Sequence, residues 1–361
     1  MVSELGKTLR SLDGPILITG HTGFKGTWLA LLLEELEIPV VGYSLTPANG
    51  SLFDRAQRTG KIEEEFGDIR NFKQFDDFLT RTNPSVIIHM AAQPLVLESY
   101  KTPLATFETN VMGTVNVLQS AFASKSVKAI CVTTTDKVYR NDNSGRRFVE
   151  SDALEGKDPY SASKVGTEAV VAAWQQIGKM GQSPKLISVR AGNVIGGGDW
   201  SADRLIPDLV RGYVSSSEVQ IRNPSSSRPW QHVLDPLRGY LLAIEHLLKG
   251  DSQPSFNFGP EGESLTVAEI VSIMKAEWPN AFKVKLLTEA TEKIEATALG
   301  LNSDAAKEKL NWTPLFSQEE AVRRTVQWWR RVLDEGMDPT LAVRKDIRDH
   351  LGRVSPTSTR Q

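Results

Sequence analysis

The sequence contains very little cysteine and histidine: one cysteine, Cys131, and five histidines among 361 residues. A single thiol excludes an internal disulfide, and these few side chains show no spacing typical of metal ligands. No apolar run approaches the roughly 18 residues of a membrane-spanning helix, and the first residues lack the apolar segment of a signal peptide. We therefore expect no metal, no membrane partner and a cytoplasmic location.

An excess of either charge is also missing. Lys and Arg number 42, Asp and Glu number 44, and the formal net charge is -2. Proteins that bind nucleic acid usually present a broad basic field, so the composition predicts no nucleic-acid partner. The chain is long enough for one large or two moderate domains with a substantial core.

Short apolar runs alternate with helical patterns up to about residue 190. This alternation predicts an α/β fold of the Rossmann type, in which right-handed β-α-β units build a doubly wound parallel sheet. Beyond residue 191 the chain becomes rich in Gly, Pro and Ser, which predicts a smaller C-terminal lobe. The expected strands are 15–19, 39–43, 63–66, 85–89, 128–133 and 185–190, and the expected helices are 24–36, 71–81, 103–123 and 159–178.

A glycine-rich turn follows the first expected strand, in the sequence Gly20-His21-Thr22-Gly23-Phe24-Lys25-Gly26. Strand, glycine-rich turn and helix in this order are typical of a dinucleotide cradle. Glycine allows close backbone approach, and the helix N-terminus faces the pyrophosphate. The spacing is G-x-x-G-x-x-G rather than the G-x-G-x-x-G of ordinary dehydrogenases. The residues expected to contact a cofactor here are Gly20, Thr22, Gly23, Phe24, Lys25 and Gly26.

Tyr160 and Lys164 stand four residues apart in the expected helix 159–178, so their side chains share one face. A phenol ordinarily loses its proton near pH 10, and a neighbouring ammonium favours the phenolate. Bringing its pKa near 7 takes about 3 units, or about 4 kcal/mol, which a buried pair can supply. Alone, Y-x-x-x-K is more often a solvated helix face; the glycine-rich turn upstream favours a catalytic and cofactor-binding pair.

Six sequence runs together resemble one enzyme family. They are Gly20 to Gly26, His89 to Val96, Thr109 to Thr114, Asp158 to Ser161, Arg190 to Trp200 and Arg228 to Val233. Through them, residues 14–330 resemble the extended short-chain dehydrogenase/reductase family of nucleotide-sugar enzymes, and look most like its CDP-glucose 4,6-dehydratase branch. We accordingly expect an NAD-binding Rossmann domain with the catalytic residues at 1–190, mainly a nucleotide-sugar-binding lobe with some interleaved chain at 191–336, and a polar, loosely docked tail at 337–361.

The resemblance implies a lyase that removes water from a nucleotide-activated hexose with the help of NAD. CDP-glucose would become CDP-4-keto-6-deoxyglucose through C4 oxidation, elimination of water across C5 and C6, and return of hydride to C6. Oxidation must come first, because the C4 ketone acidifies the C5 hydrogen. A homodimer is implied too, since the helices near 103–123 and 159–178 resemble those that pair in the dimers of this family.

The same resemblance gives roles to three consecutive residues. Thr135 would hydrogen-bond the sugar hydroxyl that Tyr160 deprotonates, Asp136 would protonate the leaving C6 oxygen, and Lys137 would remove the C5 proton. A lysine base must be neutral, so its pKa would have to fall from about 10.4 toward 7–8. Whether Lys137 is that base stays open.

Further residues are expected around the ligands. The resemblance places Asp68 and Ile69 at the adenine, and Ala91, Ala92 and Gln93 along the pyrophosphate and ribose. The second expected strand does not end in the acid that usually selects NAD, so NADP stays open from the residues alone. Guanidinium groups suit a diphosphate, and the substrate candidates are Asn193, Arg204, Arg222, Arg228 and His232.

Two alternatives remain at this stage. An epimerase, or a dehydratase for another sugar nucleotide, would use the same fold, but an epimerase has no use for an acid and base at Asp136 and Lys137. A non-catalytic NAD(P)-binding sensor is the more distant alternative, and the presence of both Tyr160 and Lys164 argues against it.

Overall fold

The computed structural model describes residues 5–142, 144–181, 183–221, 223–250, 253–287 and 299–354. The strands are β1 Ile16–Thr19, β2 Val40–Ser44, β3 Glu63–Phe66, β4 Val86–His89, β5 Ala129–Thr135, β6 Arg147–Phe148, β7 Lys185–Ala191, β8 Val194–Ile195, β9 Val219–Ile221, β10 Ser227–Arg228, β11 Gln231–His232, β12 Ser255–Phe258, β13 Leu265–Thr266, β14 Val284–Leu286 and β15 Gly300–Leu301.

The helices are α1 Lys7–Arg10, α2 Phe24–Glu35, α3 Leu52–Arg55, α4 Phe72–Thr82, α5 Val96–Lys101, α6 Pro103–Phe107, α7 Gly113–Ala123, α8 Pro159–Gly178, α9 Leu205–Val214, α10 Leu234–Leu248, α11 Val267–Glu277, α12 Asp304–Leu310, α13 Gln318–Leu333 and α14 Pro339–Leu351. A π-helical turn covers Glu108–Met112, and a 3-10 turn covers Asp136–Val138. Within the described ranges, no helix is both long and apolar enough to cross a membrane.

A parallel sheet of seven strands organises the described residues, in the order β12-β7-β5-β4-β1-β2-β3. The predicted Rossmann-type α/β fold is confirmed, and all six expected strands are present within two residues of their expected ends. The seventh strand, β12, comes from beyond residue 191 and pairs with β7. Part of the later chain therefore completes the sheet.

Alternation of side chains along the strands places a core on each face of the sheet. In β1, Ile16 and Ile18 pack into the core that includes Trp28 of α2, whereas Leu17 packs into the core that includes Phe75 of α4. Because both faces are covered, the central strands are apolar throughout. Polar residues are thereby concentrated at the strand ends, where the candidate site lies.

Two expected elements differ in the structure. The helix expected at 103–123 is divided into α6 and α7 by the π turn, which inserts an extra residue into the hydrogen-bond ladder. The loosely docked tail is wrong for Pro339–Leu351, which forms α14. Its Val343 is fully buried, and its Arg344 pairs with Glu34 of α2 at 2.6 Å. Apolar side chains on one face and this ion pair fix a segment whose composition is mostly polar.

Candidate active site

The glycine-rich turn between β1 and α2 is as closely packed as a dinucleotide cradle requires. Gly20 has φ +79°, and a Cβ on it would lie 2.8 Å from the backbone nitrogen of Ala91. A Cβ on Gly26 would lie 2.1 Å from the carbonyl oxygen of Gly20. Only glycine fits at both positions. Helix α2 begins directly after Gly23, so its first N–H groups are available to an anion, and the turn fits the pyrophosphate of NAD.

Hydrogen bonds between loops fix the neighbouring strand ends. The Thr22 hydroxyl lies 2.8 Å from the Ser44 hydroxyl at the end of β2. Thr19 Oγ1 accepts from the backbone N–H of Ala91 at 3.2 Å, which joins the ends of β1 and β4. Gln93 was expected to contact the cofactor; its side-chain amide donates to Thr106 at 3.0 Å and its backbone N–H donates to Asn110 at 2.8 Å. Ala92 is half-buried beside it.

The two expected adenine residues lie after β3 and differ in character. Asp68 is half-buried and accepts hydrogen bonds from Arg70 at 2.7 and 3.0 Å. The Arg70 guanidinium holds the pKa of the Asp68 carboxyl below its ordinary value. Ile69 is buried, with 4% of its surface exposed. Asp68 is thus anchored at the edge of the sheet where an adenine would lie, while Ile69 shapes the underlying core.

Lys25 behaves differently from the other residues of the turn. Its side chain is half-buried, and its amine reaches α10, where it donates to the Tyr240 hydroxyl at 3.2 Å. Burial of the amine, and next the charge of Arg204, lower the pKa of Lys25 to about 8. The turn therefore carries an enclosed amine that loses its proton more readily than a solvated lysine does.

Tyr160 and Lys164 are both buried on α8, at 8% and 6% exposed. The helix begins at Pro159, and Asp158 caps it by accepting from the Ser161 N–H at 2.9 Å, as is typical of helix N-termini. The Lys164 amine donates to the carbonyl oxygen of Thr133 in β5 at 3.1 Å. That bond ties the helix face to β5, the strand that ends at the next three candidates.

The pKa shifts of this pair differ from the expectation. Burial raises the pKa of the Tyr160 phenol to about 12, a hydrogen bond with Thr135 opposes the rise, and the Asp136 carboxylate adds to it. The expected lowering by Lys164 is therefore not what the structure gives. Burial, and next the Lys25 charge, lower the pKa of Lys164 itself to about 8, against the raising effect of Glu168. The phenol is therefore held neutral, because desolvation outweighs the opposing effects of Thr135 and Arg204 on its pKa.

Thr135, Asp136 and Lys137 follow one another at the end of β5. The Thr135 hydroxyl donates to Asp136 Oδ1 at 3.0 Å and accepts from the backbone N–H of Lys137 at 3.3 Å. The same side chain lies close enough to the Tyr160 phenol to lower its pKa. Asp136 is 1% exposed, and its Oδ2 has no partner among the described residues. Lys137 is half-buried. The structure thus brings Tyr160 and Asp136 together on one hydroxyl.

Glu168 and Arg190 form a buried ion pair that the sequence alone did not indicate. Glu168 lies one turn beyond Lys164 on α8, and its carboxylate accepts from Arg190 of β7 at 2.8 and 3.0 Å. The hydroxyls of Thr134 and Ser188 donate to it at 2.5 and 2.8 Å. Glu168 continues the four-residue spacing from Tyr160 and Lys164, which could have suggested a third member of that face.

The residues expected to bind the substrate differ in their surroundings. Arg204 pairs with Asp199 at 3.0 Å, and its charge acts on both Tyr160 and Lys25. Asn193 has a φ of +26°, and its buried Nδ2 has no partner in the described ranges. Arg228 in β10 donates to the Ser226 hydroxyl at 2.9 Å.

One of these candidates, His232, is not brought to the site. His232 is 1% exposed and packs edge-on against Trp28 and Phe316, so the structure assigns it to the core rather than to the substrate. Its neighbours are apolar rings, and burial lowers the pKa of its imidazole to about 3. Arg222 lies outside the described residues. Among the residues that are described, no cluster of His, Cys, Asp or Glu could hold a metal ion.

Comparisons with known proteins point to one family of enzymes. The model of the NAD dependent epimerase/dehydratase family matches residues 16–259. The chain is 39% identical to a CDP-glucose 4,6-dehydratase of Salmonella typhimurium over 94% of this chain and 97% of that protein. It is 27% identical to a UDP-glucose 4-epimerase of Rhizobium leguminosarum over 87% of this chain and 96% of that protein.

Solved structures share the fold at lower identity. A dTDP-glucose 4,6-dehydratase of Bacillus anthracis in complex with NAD superposes with a TM-score of 0.74 at 23% identity, covering 91% of this chain and 100% of that one. A UDP-glucose 4-epimerase of Thermotoga maritima with UDP-glucose gives a TM-score of 0.77 at 22% identity, covering 89% and 100%. Both epimerases and dehydratases are thus similar to this chain in fold.

Proposed function

Since the chain belongs to the NAD dependent epimerase/dehydratase family, we propose that it is a nucleotide-sugar 4,6-dehydratase. Its substrate would be CDP-glucose, and its products CDP-4-keto-6-deoxyglucose and water. The proposal rests above all on one observation: the Thr135 hydroxyl donates to the Asp136 carboxyl and lies close enough to the Tyr160 phenol to lower its pKa. The Thr135 hydroxyl thereby lies next to both Tyr160, the proposed base for C4 oxidation, and Asp136, the proposed acid for loss of the C6 oxygen.

Three side chains would move protons in this reaction. Tyr160 would take the proton of the C4 hydroxyl, which Thr135 aligns, as C4 becomes a ketone. The ketone makes the C5 hydrogen acidic, so Lys137 would remove it as a base and Asp136 would give a proton to the C6 oxygen, which leaves as water. When hydride returns to C6, Lys137 would give the proton back to C5. When bound, NAD supplies the redox chemistry by accepting hydride from C4 and returning it to C6, and its cationic ring favours the ionised form of Tyr160.

The cofactor would lie along the carboxyl edge of the sheet. The turn from Gly20 to Gly26 and the N-terminus of α2 would hold the pyrophosphate, the loop at Ala91, Ala92 and Gln93 would line it, and Asp68 would lie near the adenine. Lys164 would hold the nicotinamide ribose. The nucleotide sugar would enter from the side of Arg204, whose guanidinium suits a diphosphate. Asn193 would offer an amide donor that has no partner among the described residues.

An epimerase is the specific alternative, and Asp136 separates the two functions. Epimerisation requires Thr135, Tyr160 and Lys164 but no acid that protonates a leaving oxygen. The Asp136 carboxyl is 1% exposed, and burying a charged group without a task costs free energy. Its burial beside Thr135 therefore favours dehydration.

The experiment supplies the purified protein with CDP-, dTDP-, UDP- and GDP-glucose and detects the 4-keto-6-deoxy product by its absorbance in alkali. We expect product from CDP-glucose in wild type, and a loss of at least about 100-fold in Asp136→Asn, the usual contribution of a general acid. The matched control Asp77→Asn alters an exposed carboxylate on α4 and should keep full activity. Turnover of UDP-glucose to its C4 epimer, unaffected by Asp136→Asn, would contradict the proposal.

The assembly and location form part of the same proposal. We propose a homodimer, because five apolar side chains between residues 97 and 112 are exposed: Leu97, Tyr100, Leu104, Phe107 and Met112. Exposed apolar groups concentrated in one segment are typical of protein interfaces. We also propose that the protein acts in the cytoplasm, where NAD and nucleotide sugars are made, and cell fractionation would test this.

A further inference from the structure

Gly192 contacts the Asp136 carboxyl directly. β5 and β7 are parallel neighbours whose last residues, Thr135 and Ala191, are paired, so residues 136 and 192 leave the sheet side by side. A Cβ on Gly192 would lie 2.0 Å from Asp136 Oδ2 and 2.6 Å from its Cγ. The three atoms nearest to that Cβ all belong to Asp136. The carboxyl thus occupies the space that any side chain at position 192 would need.

The backbone of Gly192 is held in place from the other side. The Gln231 side-chain amide donates to the carbonyl oxygens of both Gly192 and Phe258 at 2.9 Å. Gln231 is 1% exposed, and Ala191 pairs with Phe258 of β12. A clash with a methyl group at position 192 would therefore be relieved by rotation of the Asp136 side chain rather than by movement of the strand.

Rotation of that carboxyl would break its alignment with the rest of the site. Asp136 is oriented by a single described bond, from the Thr135 hydroxyl at 3.0 Å. A change in its χ1 or χ2 angle moves the oxygens by more than the tolerance of one hydrogen bond. Thr135 and Tyr160 lie on β5 and α8, outside the contact with Gly192, so the groups for C4 oxidation stay where they are.

We propose that Gly192 is the positioning residue that makes this site a dehydratase, because the space it leaves lets the Asp136 carboxyl lie beside the Thr135 hydroxyl. The inference rests on the proposed function and deepens it. Any side chain at position 192 uncouples the two halves of the reaction: C4 is still oxidised and C5 still exchanges its hydrogen, but the C6 oxygen is no longer protonated and does not leave.

The test uses Gly192→Ala in the full chain with NAD and CDP-glucose. Gly192 does not adopt a positive φ, so alanine brings no backbone strain. We expect kcat for the 4-keto-6-deoxy product to fall about 100-fold, as for a catalytic group displaced by about 1 Å, with KM for CDP-glucose changed less than threefold. In D2O, deuterium should still enter C5 of the recovered CDP-glucose, as detected by mass spectrometry.

Two controls separate this role from a general loss of structure. Gly181→Ala adds a methyl where no atom of the described residues lies within 4 Å, and it should keep wild-type turnover and melting temperature. Asp136→Ala, combined with Gly192→Ala, removes the atoms nearest to the new methyl. The double variant should regain the melting temperature that Gly192→Ala loses, and its turnover should be no lower than that of Asp136→Ala alone.

A crystal structure of Gly192→Ala without ligands gives a readout independent of activity. We expect Asp136 Oδ1 to lie beyond hydrogen-bond distance of the Thr135 hydroxyl. The inference is overturned if that bond persists, if product formation and C5 exchange fall together, or if KM rises while kcat stays constant. Wild type that forms no product from any sugar nucleotide would instead defeat the proposed function, and the crystal structure would still decide whether Gly192 positions the carboxyl.

Discussion

Replacing Glu168 with glutamine should destabilise this protein more than most single substitutions. Glu168 and Arg190 are each 6% exposed and share two hydrogen bonds, at 2.8 and 3.0 Å. Although burial alone would raise the pKa of Glu168, the Arg190 guanidinium and the Thr134 and Ser188 hydroxyls hold it below its ordinary value. Glutamine fills the same space but leaves the guanidinium buried without its paired carboxylate.

The expected loss is about 3–5 kcal/mol of unfolding free energy, the range found when one partner of a buried pair is removed. Two charge-assisted hydrogen bonds at about 1.5–3 kcal/mol each lead to a similar total. The double variant Glu168→Gln/Arg190→Met should recover part of this loss, because no charge then remains buried. Asp77→Asn removes a partner of Lys73 on the surface, where the side chains are 61% and 83% exposed, and should change nothing measurable.

Urea unfolding followed by tryptophan fluorescence measures these differences, with the slope m checked for constancy. The pH dependence gives a second check. Because the folded-state pKa of Glu168 is lowered, its stabilisation is present above the ordinary pKa near 4.3 and is lost as the pH falls through the folded value. The gap between wild type and Glu168→Gln should therefore narrow in acid. A loss below about 1 kcal/mol at pH 7, or a gap that does not depend on pH, would refute the reasoning.

Three further predictions concern other parts of the molecule. Lys25→Met should raise the unfolding free energy at pH 7 by about 2 kcal/mol. Burial lowers the Lys25 pKa from 10.5 to about 8, so the charged amine destabilises the folded state, and methionine removes this cost. The loss of the hydrogen bond to Tyr240 reduces the gain by about 1 kcal/mol. The exposed residue Lys125 gives the control variant Lys125→Met. The gain of Lys25→Met should shrink between pH 8 and 10.5, where first the folded and then the unfolded chain loses the Lys25 proton. A gain that grows over this pH range would contradict the prediction. Tyr160→Phe should lower kcat at least about 100-fold with NAD binding, followed by fluorescence quenching, unchanged within about twofold. Leu104→Glu places a charge at a side chain that is 72% exposed and should convert dimers to monomers in light scattering; a wild type that is already monomeric argues against the proposed interface.

The sheet was predictable because its strands obey a local rule. Strands covered on both faces are continuous apolar runs, and Leu17 and Ile88 lie in such runs. The four-residue spacing of Tyr160 and Lys164 likewise follows from helix geometry alone. These features depend on neighbours in sequence, and one chain is enough to read them.

Contacts between distant parts of the chain were not predictable in this way. The Lys25 amine meets a tyrosine 215 positions away, and Glu168 meets an arginine 22 positions away on another element. The spacing of Tyr160 on its helix shows which face it shares but not how deeply that face is buried, and depth decides the direction of its pKa. Gly192 resembled an ordinary loop glycine until the fold placed Asp136 against it.

The docking of α14 on α2 joins residues that are 310 positions apart in the chain, Arg344 and Glu34. Bringing together residues so far apart in the chain costs conformational entropy, and non-local contacts of this kind slow folding. We therefore expect the helix that presents the glycine-rich turn to gain this contact after the sheet has formed. Refolding should show a slow final phase in which the turn acquires its ability to bind nucleotide. Cleavage by a protease in the loop before α14 should weaken cofactor binding before it affects the rest of the fold.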